Sequence, residues 1–255
     1  MRRVVMTLLA IGCWLLANSV SAADEQESQK EWQLKARIGY NIGATTPLGI
    51  PATVRSLETF RLTPNWMVGA DVMIPFSQKW GAMAGLCLEN KGMDVEVTTK
   101  GYRMKLKMED DELEGLYTGH VRQKVRQWMF TVPVLATYQI SPSLLLKAGP
   151  YVSVVFDKNF YGTASDGYLR KDDPTGMKVV MGTEESQWAT YDFPDDMRTW
   201  QFGLAVGADR QFYRQFGMTV NLSWGLTGVM KGDFETVEQT LYPIYGQIGV
   251  FYRIR

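Results

Sequence analysis

The stretch WQFGLAVGADRQFYRQFGMTVNLSWGL, from Trp200 to Leu226, decides the fold. In its first arm Trp200, Phe202, Leu204, Val206 and Ala208 alternate with Gln201, Gly203, Ala205, Gly207 and Asp209. In its second arm Met218, Val220, Leu222, Trp224 and Leu226 alternate with Gly217, Thr219, Asn221, Ser223 and Gly225, and a short polar turn at 211–215 joins the two. Each arm supplies about 9–11 residues of strict period two. That is the length and pattern of a tilted strand crossing a bilayer with apolar side chains outward and small or polar ones inward.

The same pattern recurs in six further segments: 32–42, Trp66–Phe76, Trp80–Asn90, Arg126–Gln139, Leu144–Asp157 and Tyr242–Arg255. Their connections alternate short and long. Residues 77–79, 140–143 and 211–215 are tight, whereas 44–65, 91–125, 158–197 and 230–241 are longer, and Val54–Leu62 has strand character of its own. Short periplasmic turns, long external loops and an even strand count are the habit of outer-membrane barrels. The expectation is therefore all-β: an eight-stranded antiparallel up-and-down transmembrane β-barrel over 32–255, with long extracellular loops and short periplasmic turns.

Ahead of it, Met1-Arg2-Arg3, the apolar run Val4–Leu16 and the small residues Val20-Ser21-Ala22 read as a cleaved signal peptide, residues 1–22. The run is too short for a membrane-spanning helix, which needs about 20 apolar residues. Trp14-Leu15-Leu16 carry the apolar core past Cys13, which argues against lipidation there. Residues 23–31 (ADEQESQKE) form a short periplasmic tail. Loss of Cys13 leaves Cys87 as the single thiol, so no disulfide framework is expected. Loss of Arg2 and Arg3 takes the basic count from 27 to 25 against 27 acidic residues, a balance with no basic excess for nucleic acid.

Sorting the strands by parity separates charge from lipid. The face holding Trp32, Val68, Leu86, Phe130, Val152, Leu204, Leu222 and Ile248 is free of charge through the spans. The opposite face holds Lys35, Arg37, Asp71, Glu89, Lys147, Asp157, Asp209, Arg253 and Arg255, together with many glycines. A Lys or Arg facing lipid at the midplane costs about 2–4 kcal/mol, so a bilayer selects this division. A soluble lipocalin-like barrel needs the reverse, an apolar cup inside and a polar coat outside. Trp32, Trp66, Trp80, Trp128, Tyr138, Trp200, Trp224 and Tyr252 stand at strand ends, as interfacial girdles require.

An eight-stranded barrel is only wide enough for side chains to fill it. Arg37, Asp71, Glu89, Lys147 and Asp209 are the lumen polar network, expected to close the barrel as a hydrogen-bonded ionic core. Charged rings also serve channels as selectivity filters, which keeps a narrow pore as the alternative.

No catalytic, cofactor or metal site is expected. His120, the only histidine, has no serine at a spacing that pairs with it, although loops could bring up Ser56, Ser165 or Ser186; that is the route to a lipid-modifying enzyme. The acidic run Glu109–Glu114 and the cluster Asp166, Asp172, Asp173 lack the ligand spacing of a dedicated calcium loop. Gly162, Gly167 and Gly176 lack the strand–turn–helix setting of a phosphate cradle. Cys87 reads as a small buried filler.

The segments LENKGMDVEV (Leu88–Val97), FTVPVLATYQIS (Phe130–Ser141) with LLLKAGPYVS (Leu144–Ser153), and YPIYGQIGVFYRI (Tyr242–Ile254) resemble the outer-membrane β-barrel family labelled porin-family or PorT-type. The resemblance implies an integral protein of the bacterial outer membrane, in contact with its lipid. It also implies insertion by the barrel-assembly machinery and, through the PorT label, a role in type IX secretion. It brings no catalytic residues. The chain departs from such barrels by finishing Tyr252-Arg253-Ile254-Arg255 in place of a terminal aromatic. The function expected is a plugged surface scaffold whose external loops bind a surface ligand or a neighbouring membrane protein.

Overall fold

Eight strands close on one another through backbone pairing. The computed structural model describes residues 31–49, 51–108, 111–171, 173–232 and 240–254, and the side chains of 107–108 and 111–112 fall outside that description. The expected signal peptide 1–22, all but Glu31 of the tail, Glu109, Asp110, Asp172 and Arg255 also lie outside the described residues.

In chain order the strands are β1 (Gln33–Pro47), β2 (Val54–Arg61), β3 (Trp66–Pro75), β4 (Trp80–Met108), β5 (Asp111–Ser141) and β6 (Leu144–Lys171). They are followed by β7 (Lys178–Met181), β8 (Ala189–Asp192), β9 (Trp200–Tyr213), β10 (Phe216–Gly225) and β11 (Leu241–Arg253). Antiparallel pairing runs β1–β3–β4–β5–β6–β9–β10–β11 and returns to β1, so this ring has no free edge. The sheet holds three strands more than the expected eight. The additional ones, β2, β7 and β8, pair outside the ring with β4 and β6.

Within the ring the alternation of the opening hairpin is realised side chain by side chain. Gln201, Gly203 and Asp209 are buried while Phe202, Leu204 and Val206 are exposed, and the same holds for Gly217 and Thr219 against Met218 and Val220. Leu86, Leu222 and Ile248 are 56, 50 and 49% exposed. A soluble monomer rarely leaves an apolar surface of this continuity uncovered, so the belt needs lipid against it. Its height fits: the ten residues of β3 span about 25 Å along the normal at ~3.3 Å rise and ~40° tilt. Aromatic pairs stand at both ends of the belt. Trp66 and Trp128 meet edge to face at 4.9 Å at one end, and Trp80–Tyr138 (4.8 Å) and Phe216–Tyr252 (5.0 Å) mark the other.

Residues 91–108, 111–125 and 158–171 are strand, not loop. β4, β5 and β6 run far past the belt as one continuous pairing, Asn90↔Trp128 through Met108↔Asp111 on one side and Trp128↔Asp157 through Gly115↔Lys171 on the other. From Lys91 to Met108, β4 continues past the belt for about 60 Å measured along the strand, at ~3.3 Å per residue. β8 pairs with both β6 and β4, curling this tall sheet around its own core. The core contains Met93, Val95, Tyr117, Val125, Phe160 and Met197. A search for membrane-length spans ends these strands early because their polarity reverses, not because their pairing stops.

A bulge corrects one parity assignment. The register of β5 and β6 shifts between Trp128 and Met129, opposing Trp128 to Asp157 and Met129 to Val155. The extra residue turns Phe156 outward, its ring 5.2 Å from Phe130, and leaves Asp157 exposed beside Arg126 at 3.8 Å rather than inside the lumen.

Candidate functional site

The lumen is filled in layers. At the end carrying the tight turns, Met73, Met83, Leu135 and Leu145 form a small apolar cluster. Next comes the ionic layer, built by inward positions of β1, β3, β4, β6 and β9. Arg37 Nε lies 2.9 Å from Asp71 Oδ2. Lys147 Nζ and Lys35 Nζ share Asp209, at 2.5 Å to Oδ1 and 3.2 Å to Oδ2. Glu89 stands higher and takes Lys91 at 3.3 Å, with further bonds from Thr131 Oγ1 (2.6 Å) and Asn41 Nδ2 (3.0 Å).

Arg37, Asp71, Glu89, Lys147 and Asp209 thus all lie inside the barrel and are joined through neutral residues. Gln247 accepts from Arg37 NH1 (3.4 Å) and from Asn221 Nδ2 (2.7 Å), and it donates to Asn41 (2.9 Å). Thr219 accepts from Asn221 Nδ2 and from Lys147 Nζ (3.0 Å). Burial raises the stakes of every pair, since a charge left alone in low dielectric is costly. The guanidinium of Arg37 also donates to Cys87 Sγ, so the thiol is a polar partner as well as a filler. Gly85 makes the room: a Cβ there would fall 2.0 Å from Asp71 Oδ1.

Sequence reasoning left Lys91 out of this network by ending the third strand at Asn90, although Lys91 repeats the parity of Glu89. Asn41, Thr131, Thr219, Asn221 and Gln247 were legible by the same rule but carry no charge to draw the eye. Two small voids lie between these layers. One of about 50 Å³ lies beside Arg37, Glu89 and Lys91, and one of about 20 Å³ beside Lys35 and Asp209.

Above the aromatic pair the faces exchange roles. On β4, Asp94 and Glu96 point outward while Met93 and Val95 are buried; on β5, Arg126, Lys124 and Arg122 point outward while Val125 and Val121 are buried. Asp94 receives a bidentate pair from Arg122, Nε at 3.0 Å and NH2 at 2.8 Å. These hydrogen bonds from Arg122 hold the Asp94 carboxyl below the usual carboxylate range. Burial in the tall sheet pushes the phenols of Tyr117 and Tyr191 up. The junction between the two regimes is tied by asparagines: Asn90 Oδ1 accepts from Trp66 N (2.8 Å), and Asn65 Nδ2 donates to Gly92 O (2.8 Å).

The other candidates fall on this tall sheet. His120 Nδ1 is 3.2 Å from Thr98 Oγ1 and its Nε2 is 3.8 Å from Asp166 Oδ2, the acid being exposed and the ring half-buried. Ser165 stands opposite His120 in the register and accepts from Tyr117 OH through its carbonyl, while the Ser56 hydroxyl donates to Glu58. Asp173 Oδ1 closes a turn on Thr175 N and Oγ1, both at 2.7 Å. Among the described residues no three His, Cys, Asp or Glu side chains are grouped to hold a metal ion. Gly162 seats the ring of Tyr191, whose Cζ would lie 2.0 Å from an added Cβ.

A closed antiparallel ring with an apolar belt outside and paired charges inside is a transmembrane β-barrel. Residues 22–231 match the family described as outer membrane protein beta-barrel domain, and the chain belongs to that family. It is a protein of the bacterial outer membrane; the match does not reach the PorT-type grouping. Two crystal structures of Ail, the attachment invasion locus protein of Yersinia pestis, align with 88% of this chain and 99% of theirs at 9% identity, with TM-scores of 0.39 and 0.37. In one of them Ail is in complex with the heparin analogue sucrose octasulfate. The translocator domain of the autotransporter NalP from Neisseria meningitidis aligns over 98% of this chain and 97% of its own at 13% identity and a TM-score of 0.24. No curated protein matches the chain.

Proposed function

We propose that this protein is a sealed outer-membrane scaffold whose working surface is the tall sheet outside the bilayer, where it binds a surface ligand or a neighbouring membrane protein without performing catalysis. The observation that carries the reading is the ionic layer. Lys35, Arg37, Asp71, Lys147 and Asp209 are all buried and paired, and the voids on either side are about 50 and 20 Å³. A water needs roughly 10–15 Å³, so these spaces hold a few waters and are too small for a hydrated solute path. The bulk of the ordered chain beyond the belt then stands where a partner meets it, and binding residues concentrate on such outward structure.

The test is planar-bilayer recording from the refolded chain. Sealing predicts no stable unitary current. Reproducible ion-selective steps would replace the scaffold with the narrow pore and make Arg37, Asp71, Glu89 and Lys147 its filter.

A further inference from the structure

The core of the tall sheet is not fully packed. A chamber of about 230 Å³ opens among the outer ends of β1, β2, β4, β5, β6, β8 and β11. Its inner wall carries Met93, Val95, Met104 and Phe160, and Leu57 and Phe60 of β2, 61 and 40% exposed, stand at the rim. One side is an aromatic row: Phe160 and Tyr191 centroids are 6.0 Å apart, and Tyr191 and Phe193 stack at 6.3 Å and 19°. The backbone bond Phe193 N to Phe160 O (3.0 Å) and the seat of Tyr191 on Gly162 fix that row. Into this apolar lining β5 brings one amide, Gln123, whose buried Nε2 finds no acceptor among the described residues.

Water is a poor occupant, because a held water needs two to four polar partners and an apolar cavity of ~150 Å³ already stays dry and takes benzene. A mostly apolar wall with a few placed polar groups, here Gln123 with Thr45, Thr46, Thr99 and Lys105, is the usual form of a small-molecule site. We infer that the outer chamber binds a small apolar molecule, about one substituted aromatic ring in size, that carries a hydrogen-bond acceptor for Gln123 Nε2. The assignment rests on the scaffold reading only in taking the tall sheet as the binding surface.

The test uses the chain in lipid nanodiscs, with the methionine methyls observed by NMR, and two probes of similar size: acetophenone, which has a carbonyl acceptor, and isopropylbenzene, which has none. Met93 and Met104 report the chamber, and Met218, on the lipid-facing side, reports partition into the bilayer. The inference expects saturable shifts at Met93 and Met104 with both probes, and a preference for acetophenone, relative to isopropylbenzene, about fivefold greater than in a chain without the Gln123 amide, the worth of one neutral hydrogen bond. Gln123→Met should remove that added preference and leave both probes bound, and Val95→Trp should fill the chamber and abolish saturation. Shifts that rise linearly and alike at Met93, Met104 and Met218 would overturn the site. An acetophenone-to-isopropylbenzene affinity ratio left unchanged by Gln123→Met would overturn the role of Gln123. A conducting barrel that still saturates at Met93 removes the sealed scaffold and keeps the chamber; a silent barrel without saturation does the opposite.

Discussion

Below the row of Trp66 and Trp128 and above it, the same strands obey opposite rules. On β5, Phe130, Val132 and Val134 face outward below that row and are exposed; two residues past Trp128 the outward positions become Arg126, Lys124 and Arg122. Inward, the ionic layer with Glu89 and Lys91 gives way to Met93, Val95 and Val125. Pairing between β4 and β5 passes the row without a register shift, so on these two strands the backbone does not mark the change; the bulge at this height lies on β6. Only the surroundings change, from hydrocarbon to water. Period two fixes a strand, whereas the solvent decides which of its faces must be apolar.

This comparison can be broken by mutation, most severely in the cores. Asp209→Ala strands Lys35 and Lys147 in the lumen and should cost about 3–5 kcal/mol in urea unfolding of the inserted barrel, the usual loss when one partner of a buried pair is removed. Phe160→Ala should cost a similar ~3–5 kcal/mol, but in the other region: proteolysis should clip the tall sheet while the belt stays protected. Unfolding of both regions together in either variant would show that the two cores are one cooperative unit.

Next in size is a charge on the outward face. Leu86→Arg, within the belt, should cost about 2–4 kcal/mol, while Thr98→Arg, outward on the same strand beyond the belt, should stay within about 0.5 kcal/mol. Equal costs would mean that both positions meet the same solvent.

The weakest lever is pH. The Asp94 carboxyl titrates below its ordinary value because Arg122 bonds to the charged form. Its contribution to the tall sheet is therefore complete above the unfolded value of about 3.9 and fades as pH falls below it. The pair is partly solvated, so the loss should be at most about 1 kcal/mol and absent in Asp94→Asn, measured by hydrogen exchange at Val95 and Val121.

The ring itself was legible because its signal is redundant. Each membrane strand repeats the alternation, the tight turns fix neighbours, and every member of the lumen network stands at a parity position, Asp71 with Gly85 beside it to admit it. The tall sheet was hidden for a physical reason. At Lys91–Asp94 the apolar residues pass to the other face, so a reader holding one rule sees a charged excursion where pairing continues. Gly101 and Gly119, both at positive φ, add to the appearance of loop. Asp157 was misplaced because a single inserted residue on β6 reverses parity, and nothing in the local sequence announces that bulge. The chamber was invisible in the sequence, since its walls come from seven strands that meet only in the fold.

The most direct measurement of the change of rule is a spin-label scan along the outward positions of β4 at residues 82, 84, 86, 88, 94, 96 and 98, in a Cys87→Ala background and in lipid vesicles, reading collisions with oxygen and with a water-soluble nickel chelate. The account predicts oxygen-dominated collisions through Leu88 and nickel-dominated collisions from Asp94 onward, a single crossover at the height of Asn90 and Trp128. Oxygen dominance continuing through Thr98, or nickel access already present at Ala84, would contradict it.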